Sequence, residues 1–164
     1  MAESLKDLIA RYAQPGEVTW IGLRPVRRGA MLPVEEAVIS ERGLQGDHGA
    51  SQKRAVTFLQ AEHLPVIAAM LGRMRVEARD LRRNIVVSGI NLAALKGRQL
   101  QVGTAVLEIT TICAPCSRME EAFGPGGYSA VRGHGGYCAR IIQPGVVRLC
   151  DRVTPLTTSG ETPL

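Results

Sequence analysis

A two-residue alternation of apolar and polar side chains, broken by short turns, is the feature that most constrains the fold. Residues 99–102 alternate in this way, Gly103-Thr104 forms a two-residue turn, and residues 105–109 resume the alternation. Residues 137–149 repeat the arrangement around Pro144-Gly145. A period of two places successive side chains on opposite faces of a strand, and a two-residue turn joins antiparallel strands. We therefore expect these segments to form β-hairpins.

Further strands and a few helices are predicted from shorter segments. Stretches rich in β-branched and other apolar residues predict strands over 17–23, 34–40, 55–59 and 85–87. Helical spacing predicts one helix over 3–13, which Ser4 can cap, and another over 61–71 that has to start near Pro65. The predicted fold is mainly β (α+β): a curled antiparallel or mixed β-barrel of about seven strands with short helices at its rim.

The domain organisation follows from the length and from where the pattern begins and ends. A chain of 164 residues corresponds to one domain with short appendages. We expect an N-terminal helical extension over residues 1–16, the barrel domain over 17–156, and a frayed tail over 157–164.

The charge and composition restrict the partners. Twenty Lys and Arg against fifteen Asp and Glu give a net charge of +5, which favours an anionic ligand. Aromatic residues are only 4% of the chain, which argues against nucleic acid as the main ligand. No signal peptide and no long apolar run is visible, so we expect a cytoplasmic protein with no membrane partner. In a reducing compartment its four cysteines are expected to be thiols.

The strongest local feature is the motif Cys113-Ala114-Pro115-Cys116, which follows a predicted strand. Ser117 and Glu120 have the spacing of a capping box, so a helix is expected to begin at Ser117, directly after Cys116. The partial positive charge of a helix N-terminus, together with Arg118, favours a thiolate at Cys116. A thiolate is both a nucleophile and a soft metal ligand.

Several interpretations of this motif remain open on the residues alone. The cysteines can be two packed small residues at a strand end. A zinc site is not favoured, because the spacing C-x2-C-x21-C-x11-C contains one tight pair and no histidine stands beside it. A thioredoxin-like redox pair has the correct motif, but here the motif follows a hairpin instead of a βαβ unit. The remaining interpretation is that one thiolate holds a metal cofactor, with Cys113 as its neighbour.

A second feature is the run Arg82-Arg83-Asn84, which precedes a short buried strand. Guanidinium groups at this position suit a phosphate or an anionic ring, although taken alone a solvated basic edge is the simpler interpretation. The same solvated interpretation applies to Arg24, Arg27 and Arg28. Glycine-rich segments at 42–53 and 124–136 are expected to be site loops, a flap or tight turns. Ordinary structural roles are expected for His48, His63 and His134, and Cys138 and Cys150 are expected to be thiols packed within strands.

Five segments, taken in order, resemble the MOSC domain, which is named after the C-terminal part of eukaryotic molybdenum-cofactor sulfurases. They are GLQGDH at 43–48, RAVTFL at 54–59, DLRRNIVVSG at 80–89, GTAVLE at 103–108 and CAPC at 113–116. Each segment alone is a weak signal, and their order and spacing make the match specific. The resemblance spans residues 18–155 and is closest to small stand-alone bacterial-type members.

The resemblance implies a β-rich barrel that binds the molybdenum cofactor. Cys116 matches the cysteine thought to bind molybdenum or to carry sulfur, and it is thus the expected catalytic residue and metal ligand. Arg82 and Asn84 match the R-x-N element that contacts the cofactor, and Arg54 and Thr57 are further expected cofactor-binding residues. No zinc, flavin or haem is expected.

Three functions follow from this resemblance. The first is an oxidoreductase that reduces N-hydroxylated small molecules with electrons from an external donor. The second is a sulfur carrier that accepts a persulfide on Cys116 from a cysteine desulfurase, so any link to pyridoxal phosphate lies with that partner. The third is a cofactor-binding protein without catalysis.

Overall fold

Eleven short strands account for most of the regular structure in residues 2–49 and 51–157, the part of the chain that this computed structural model describes. In chain order they are β1 (Gly16–Leu23), β2 (Leu32–Val34), β3 (Glu36–Ser40), β4 (Gly43–Leu44), β5 (Val56–Gln60), β6 (Ile85–Ser88), β7 (Gln99–Val102), β8 (Ala105–Ile112), β9 (Tyr137–Gln143), β10 (Gly145–Arg148) and β11 (Arg152–Pro155). The hairpin predicted around Gly103-Thr104 is the β7–β8 pair.

Seven of the described strands close into a barrel in the order β1-β6-β5-β9-β8-β7-β11. The ring closes where β11 pairs with β1, with Gly16 opposite Val153 and Glu17 opposite Arg152. Neighbouring strands run antiparallel except β5 and β6, which are parallel. β2 extends the sheet beside β1, and β3, β4 and β10 form a second small sheet. The predicted mixed barrel of about seven strands is therefore confirmed.

The described residues form five short helices. They are α1 (Leu5–Ala10), α2 (His63–Met70), α3 (Ala78–Leu81), α4 (Ser117–Phe123) and α5 (Gly127–Val131), with a 3-10 turn at Leu92–Leu95. The barrel interior is one apolar cluster that includes Val18, Phe58 and Leu107. A second cluster joins side chains of α2, α3, α4 and α5 to Leu59 and Val86 on the outer face of β5 and β6. Successive residues of these two strands therefore face two different cores.

Three predicted elements differ from the structure. The first helix is shorter than the predicted 3–13, although Ser4 caps it as expected by accepting a hydrogen bond from Asp7 N. Its predicted amphipathic face makes no core contact, since Leu5 and Ile9 are exposed. The predicted strand 34–40 divides, because β2 ends at Val34 and β3 begins at Glu36 in the other sheet. The hairpin predicted around Pro144-Gly145 is wrong, because β9 pairs with β5 and β8, whereas β10 pairs with β3 in the other sheet.

The second helix and the chain ends complete the comparison. The helix predicted over 61–71 begins at His63, which places Pro65 in its first turn, where a missing N–H costs no hydrogen bond. The segment before β1 is joined to the barrel through Gln14 Nε2, which donates to Gly89 O, and Arg98 Nη1, which donates to Ala10 O. Most of the tail expected over 157–164 lies outside the described residues.

Within the described ranges, no helix has the length and apolar character needed to cross a membrane.

The approach of Gly136 to β5 provides a test of barrel packing. Gly136 has φ +91°, and a Cβ there would collide with the Phe58 carbonyl oxygen, whereas Gly133 has φ +84° and open space around it. We expect Gly133→Ala to cost about 1 kcal/mol through backbone strain alone. Gly136→Ala should cost about 3 kcal/mol or more, because the collision adds to the strain. Urea unfolding measures both, and equal losses would contradict this packing.

Candidate functional site

Asn84 is the centre of a buried polar network between three barrel strands. Its side chain is fully buried. Its Oδ1 accepts hydrogen bonds from Thr57 N at 3.1 Å and Thr57 Oγ1 at 3.0 Å, and its Nδ2 donates to Gly22 O at 3.0 Å and to Asp47 Oδ1 at 3.3 Å. Both amide hydrogens and the carbonyl oxygen are therefore used inside the protein. Asn84 is placed to hold β1, β5 and the 45–49 loop together.

Arg24 and Asp47 form a bidentate ion pair beside this network. Arg24 Nε donates to Oδ1 at 3.0 Å and Nη2 to Oδ2 at 2.8 Å, while Arg24 N also donates to Oδ1 at 2.6 Å. The Asp47 carboxylate is 0% exposed and the Arg24 side chain 16%. Burial acts to raise the pKa of Asp47, but the hydrogen bonds and charge of Arg24 prevail and hold this pKa below its ordinary value. The pair fixes one guanidinium at the end of β1.

Arg82 lies next to this pair in a strained backbone conformation. It ends α3 with φ +55°, a left-handed conformation that is costly for a residue with a Cβ. Its Nη1 donates to Gly29 O, whereas its Nη2 is buried without a hydrogen-bond partner in the described structure. Burial, and then the charges of Arg118 and Arg24, lower the pKa of Arg82, which stays protonated as arginines do. Strain at a residue with an unpaired buried donor is typical of binding sites.

The guanidinium of Arg83 donates hydrogen bonds to backbone carbonyl oxygens. It is buried, and its Nε and Nη1 donate to Gly135 O and Leu81 O, each at 2.7 Å. Arg83 therefore anchors the glycine-rich segment 124–136, which forms tight turns around α5. The two consecutive arginines thus have different tasks, a distinction that the sequence pattern did not reveal.

Cys116 is exposed at the start of α4. The helix begins at Ser117 as predicted, but the capping box predicted from Ser117 and Glu120 is wrong. Cys116 itself is the N-cap residue and makes no side-chain cap, while Glu120 accepts hydrogen bonds from Gly126 N and Tyr128 N. Glu120 therefore secures the turn into α5. Arg118 follows Cys116 by two residues, and its charge lowers the pKa of Arg82. The exposed thiol is therefore close in sequence to one member of the guanidinium cluster.

Cys113 and Cys138 form a thiol pair. The Cys138 thiol donates a hydrogen bond to the Cys113 sulfur and lowers the pKa of Cys113 to about 6, against the effect of burial. The charges of Arg83, Arg24 and Arg54 act in the same direction. The same hydrogen bond, together with burial, raises the pKa of Cys138. Sequence reasoning considered Cys113 only together with Cys116, because its proximity to Cys138 depends on the pairing of β8 with β9.

Arg54 and Thr57, the other two expected site residues, lie in different surroundings. Thr57 is buried, and its hydroxyl donates to Asn84. Arg54 is exposed and lines an open groove of about 650 Å³ together with Lys53, Lys96 and Arg140. Arg54 therefore lies at the edge of the site, close enough to act electrostatically on Cys113.

Two further expectations are corrected. Arg24 is not a solvated basic residue like the exposed Arg27 and Arg28, because it is paired with Asp47. The only acid in the loop 42–53 is Asp47, and an isolated acid in a basic chain is a signal from which such a pair could have been predicted. Cys150 is exposed and has φ +70° between β10 and β11, so it is not packed within a strand, whereas Cys138 is.

His63 and His134 contact each other edge to face, with ring centroids 4.9 Å apart. Burial and the neighbouring His134 lower the pKa of His63. In the described ranges no group of three or more His, Cys, Asp or Glu side chains is arranged to hold a metal ion.

Solved structures share this barrel. The YuaD protein from Bacillus subtilis matches with a TM-score of 0.78 at 15% identity, covering 87% of this chain and 97% of that chain. YiiM from Geobacillus stearothermophilus gives 0.73 at 18% identity, with 87% and 76% covered, and YiiM from Escherichia coli gives 0.69 at 18%, with 88% and 72% covered. At these identities the likeness shows the fold alone. A search of the curated proteins finds no match to this sequence.

The fold and the site together define a small mixed β-barrel protein with a cysteine at a helix start beside an arginine cluster. The family model of the MOSC domain matches residues 45–154, which is most of the chain. The protein therefore belongs to the MOSC domain family, which is known for binding the molybdenum cofactor. The family resemblance inferred from the sequence is confirmed.

The buried ion pair makes a prediction for stability against pH. We expect Asp47→Asn to lower the free energy of unfolding at neutral pH by about 3 kcal/mol, since Arg24 loses its counter-charge. Because the folded-state pKa of Asp47 is depressed, the stabilisation is complete above the unfolded-state pKa of about 4. It is lost as the pH falls through the folded-state pKa. Urea unfolding between pH 7 and pH 2 should therefore show the two proteins converging in acid.

The control is Glu36→Gln, which breaks the exposed pair between Glu36 and Arg148. An exposed pair contributes less than about 1 kcal/mol, so this variant should follow the wild-type curve closely. A loss for Asp47→Asn that stays constant across the whole pH range would contradict the assigned charge state.

Proposed function

We propose that this protein binds the molybdenum cofactor, with Cys116 as the protein ligand to the metal, and reduces N-hydroxylated small molecules with electrons from a separate donor. The observation that carries the proposal is Arg82 Nη2, a buried donor without a partner in the described structure. Arg82 belongs to a cluster of three guanidinium groups, those of Arg24, Arg82 and Arg118, and the Asp47 carboxylate is the negative charge beside them.

The charge balance of this cluster fits an anionic ligand. Arg24 has Asp47 as its counter-charge, whereas Arg82 donates only to a neutral carbonyl and Arg118 adds a further positive charge. A phosphate group placed here would accept a hydrogen bond from Arg82 Nη2 and relieve the repulsion among the arginines. The molybdenum cofactor carries a phosphate on its pterin, so these residues fit the group.

Cys116 fits the metal end of the same cofactor. The metal is already held by the sulfur atoms of the pterin, so the protein has to add one soft ligand and not a complete cage. Cys116 is exposed and only two residues from Arg118, which gives one site both the sulfur donor and the positive charge. When bound, the cofactor would supply two-electron redox chemistry at the metal.

The remaining site residues support these two contacts. Asn84 has no free amide hydrogen, so we assign it the positioning of Arg24 and Asp47 instead of the expected direct contact with the pterin. Thr57 orients Asn84. Arg54, at the edge of the site, would guide an anionic ligand electrostatically. In this proposal the unpaired Nη2 of Arg82, a residue in a strained left-handed conformation, donates to the phosphate.

The proposal includes two partners, an electron donor and a substrate. The family resemblance implies that electrons come from a separate donor protein, and this proposal adopts that partner. The substrate is a small molecule that reaches the exposed side of Cys116.

A sulfur carrier is the second candidate, and the exposure of Cys116 favours it. A cysteine desulfurase needs direct access to an accepting thiol, and the thiol at the start of α4 is accessible. In this case a persulfide would form on Cys116 and be passed to a metallocofactor. Any pyridoxal phosphate would belong to the desulfurase.

The molybdenum content of the purified protein tests whether Cys116 is the ligand to the metal. In a host that makes the cofactor, the wild-type protein should be purified with molybdenum and pterin, and Cys116→Ser should retain at least about tenfold less metal. Cys150→Ser is the matched control, because Cys150 is also an exposed thiol but lies beside Val18 near the start of β1, whereas Arg24 follows the end of that strand, and it should retain wild-type metal. Equal metal in all three proteins, measured by mass spectrometry, would refute the assignment of Cys116.

Arg82→Gln tests the anion site separately. It removes the unpaired donor and one charge, so pterin content should fall about tenfold while the barrel stays folded by circular dichroism. Arg75→Gln is the control, since Arg75 is highly exposed in an ion pair with Glu77. Pterin retained by Arg82→Gln at the Arg75→Gln level would place the phosphate elsewhere.

Activity separates the candidate functions. Loaded protein with an artificial electron donor should reduce hydroxylamine derivatives if the first proposal holds. A persulfide on Cys116 after exposure to a desulfurase, without such reduction, would favour the carrier. Cofactor binding with neither result would leave the non-catalytic cofactor-binding protein.

A further inference from the structure

The hydrogen-bonded thiols of Cys113 and Cys138 lie beside the proposed cofactor site and have no part in it. Cys113 comes directly after β8, and its N–H donates to Gly136 O at 2.8 Å. Cys138 is on β9, paired with Thr111 of β8, and is only 2% exposed. Cys113 lies two residues beyond Thr111, so this register places the Cys113 and Cys138 side chains on the same face of neighbouring strands, as diagonal neighbours.

We propose that Cys113 and Cys138 are a redox pair that low-molecular-weight disulfides, of the glutathione disulfide class, convert to an intramolecular disulfide. The difference in exposure sets the roles of the two cysteines. Cys113 is half-buried and reachable from solvent, so it reacts first, whereas the buried Cys138 is the resolving thiol. Three arginines surround the pair and favour the anionic form of Cys113.

The reaction balances in two exchange steps. The Cys113 thiolate attacks one sulfur of the external disulfide, which forms a mixed disulfide and releases one thiolate. Cys138 then loses its proton to solvent or to the released thiolate, and its sulfur attacks the Cys113 sulfur. The Cys113–Cys138 bond forms, and the second external thiol leaves. In total the protein loses two protons and two electrons, equivalent to two hydrogen atoms, and one external disulfide becomes two thiols.

The local backbone allows the two sulfur atoms to reach bonding distance. A disulfide requires an S–S distance of about 2 Å, so the sulfurs have to move closer than their hydrogen-bond contact. Cys113 is beyond the last residue of β8, in a segment without regular structure that leads to α4. This end of the chain can adjust, while Cys138 stays fixed in the barrel wall.

Oxidation would change the charge beside the arginine cluster. The disulfide is neutral, so it removes the anion that partly balances Arg83, Arg24 and Arg54. The inference itself does not depend on the proposed cofactor, because it concerns only thiols of the apoprotein. Its test therefore stands even if the cofactor proposal fails.

The test uses the full-length apoprotein, purified in reduced form and incubated with glutathione disulfide. Intact mass spectrometry should show the loss of two hydrogen atoms, and peptide mapping should connect Cys113 with Cys138. Cys138→Ser should stop at a stable glutathione adduct on Cys113, and Cys113→Ser should form no internal disulfide. Cys116→Ser and Cys150→Ser are controls that should form the Cys113–Cys138 bond as the wild type does.

The competing outcome is a disulfide within the C-x-x-C motif, between Cys113 and Cys116. A map that connects Cys113 with Cys116, together with a loss of the internal disulfide in Cys116→Ser, would overturn the proposal. It would also be overturned if glutathione modified only Cys116 or Cys150 and left Cys113 and Cys138 reduced. The wild-type peptide map decides between these outcomes even if a Cys138 variant fails to fold.

Discussion

The structure depends on the way in which the Asn84 amide is satisfied. Asn84 precedes β6, the strand that lies between β1 and the parallel neighbour β5, and its side chain binds groups from both of them. A fully buried amide is costly unless every donor and acceptor is paired, and here each one is. The same network contacts Asp47, and through it Arg24, so barrel geometry and site electrostatics are joined in one set of hydrogen bonds.

The site itself is defined by an imbalance of charge. Proteins seldom gather partly buried guanidinium groups without matching acids, yet the charges of Arg24, Arg82 and Arg118 act on one another beside the Asp47 carboxylate. Strain at the Arg82 backbone adds to this cost. Such an arrangement is tolerated where a ligand supplies the missing anion. The exposed thiol of Cys116 at the border of the cluster gives the same ligand a soft donor, which is why one cofactor accounts for both features.

Much of the barrel was predictable because period-two alternation and two-residue turns are local signals, as in the β7–β8 hairpin. The break of the predicted strand 34–40 into two strands was not predictable, since Val34 pairs with β1 in the barrel sheet whereas Glu36 pairs with β10 in the small sheet. Arg82, Asn84 and Cys116 were found through the family resemblance, which also suggested a pterin contact for Asn84. Its buried position, the Arg24–Asp47 pair and the Cys113–Cys138 contact depend on residues distant in sequence, and local patterns carry no information about them.

Ring closure has a consequence for the order of folding events. The strand that seals the barrel, β11, pairs with both β1 and β7, so the two edges it covers stay open until residues 152–155 have been synthesised. Open strand edges invite pairing with other chains. Before β11 docks, the edges of β1 and β7 are therefore both open, and the unsealed barrel is the form of this domain most exposed to aggregation.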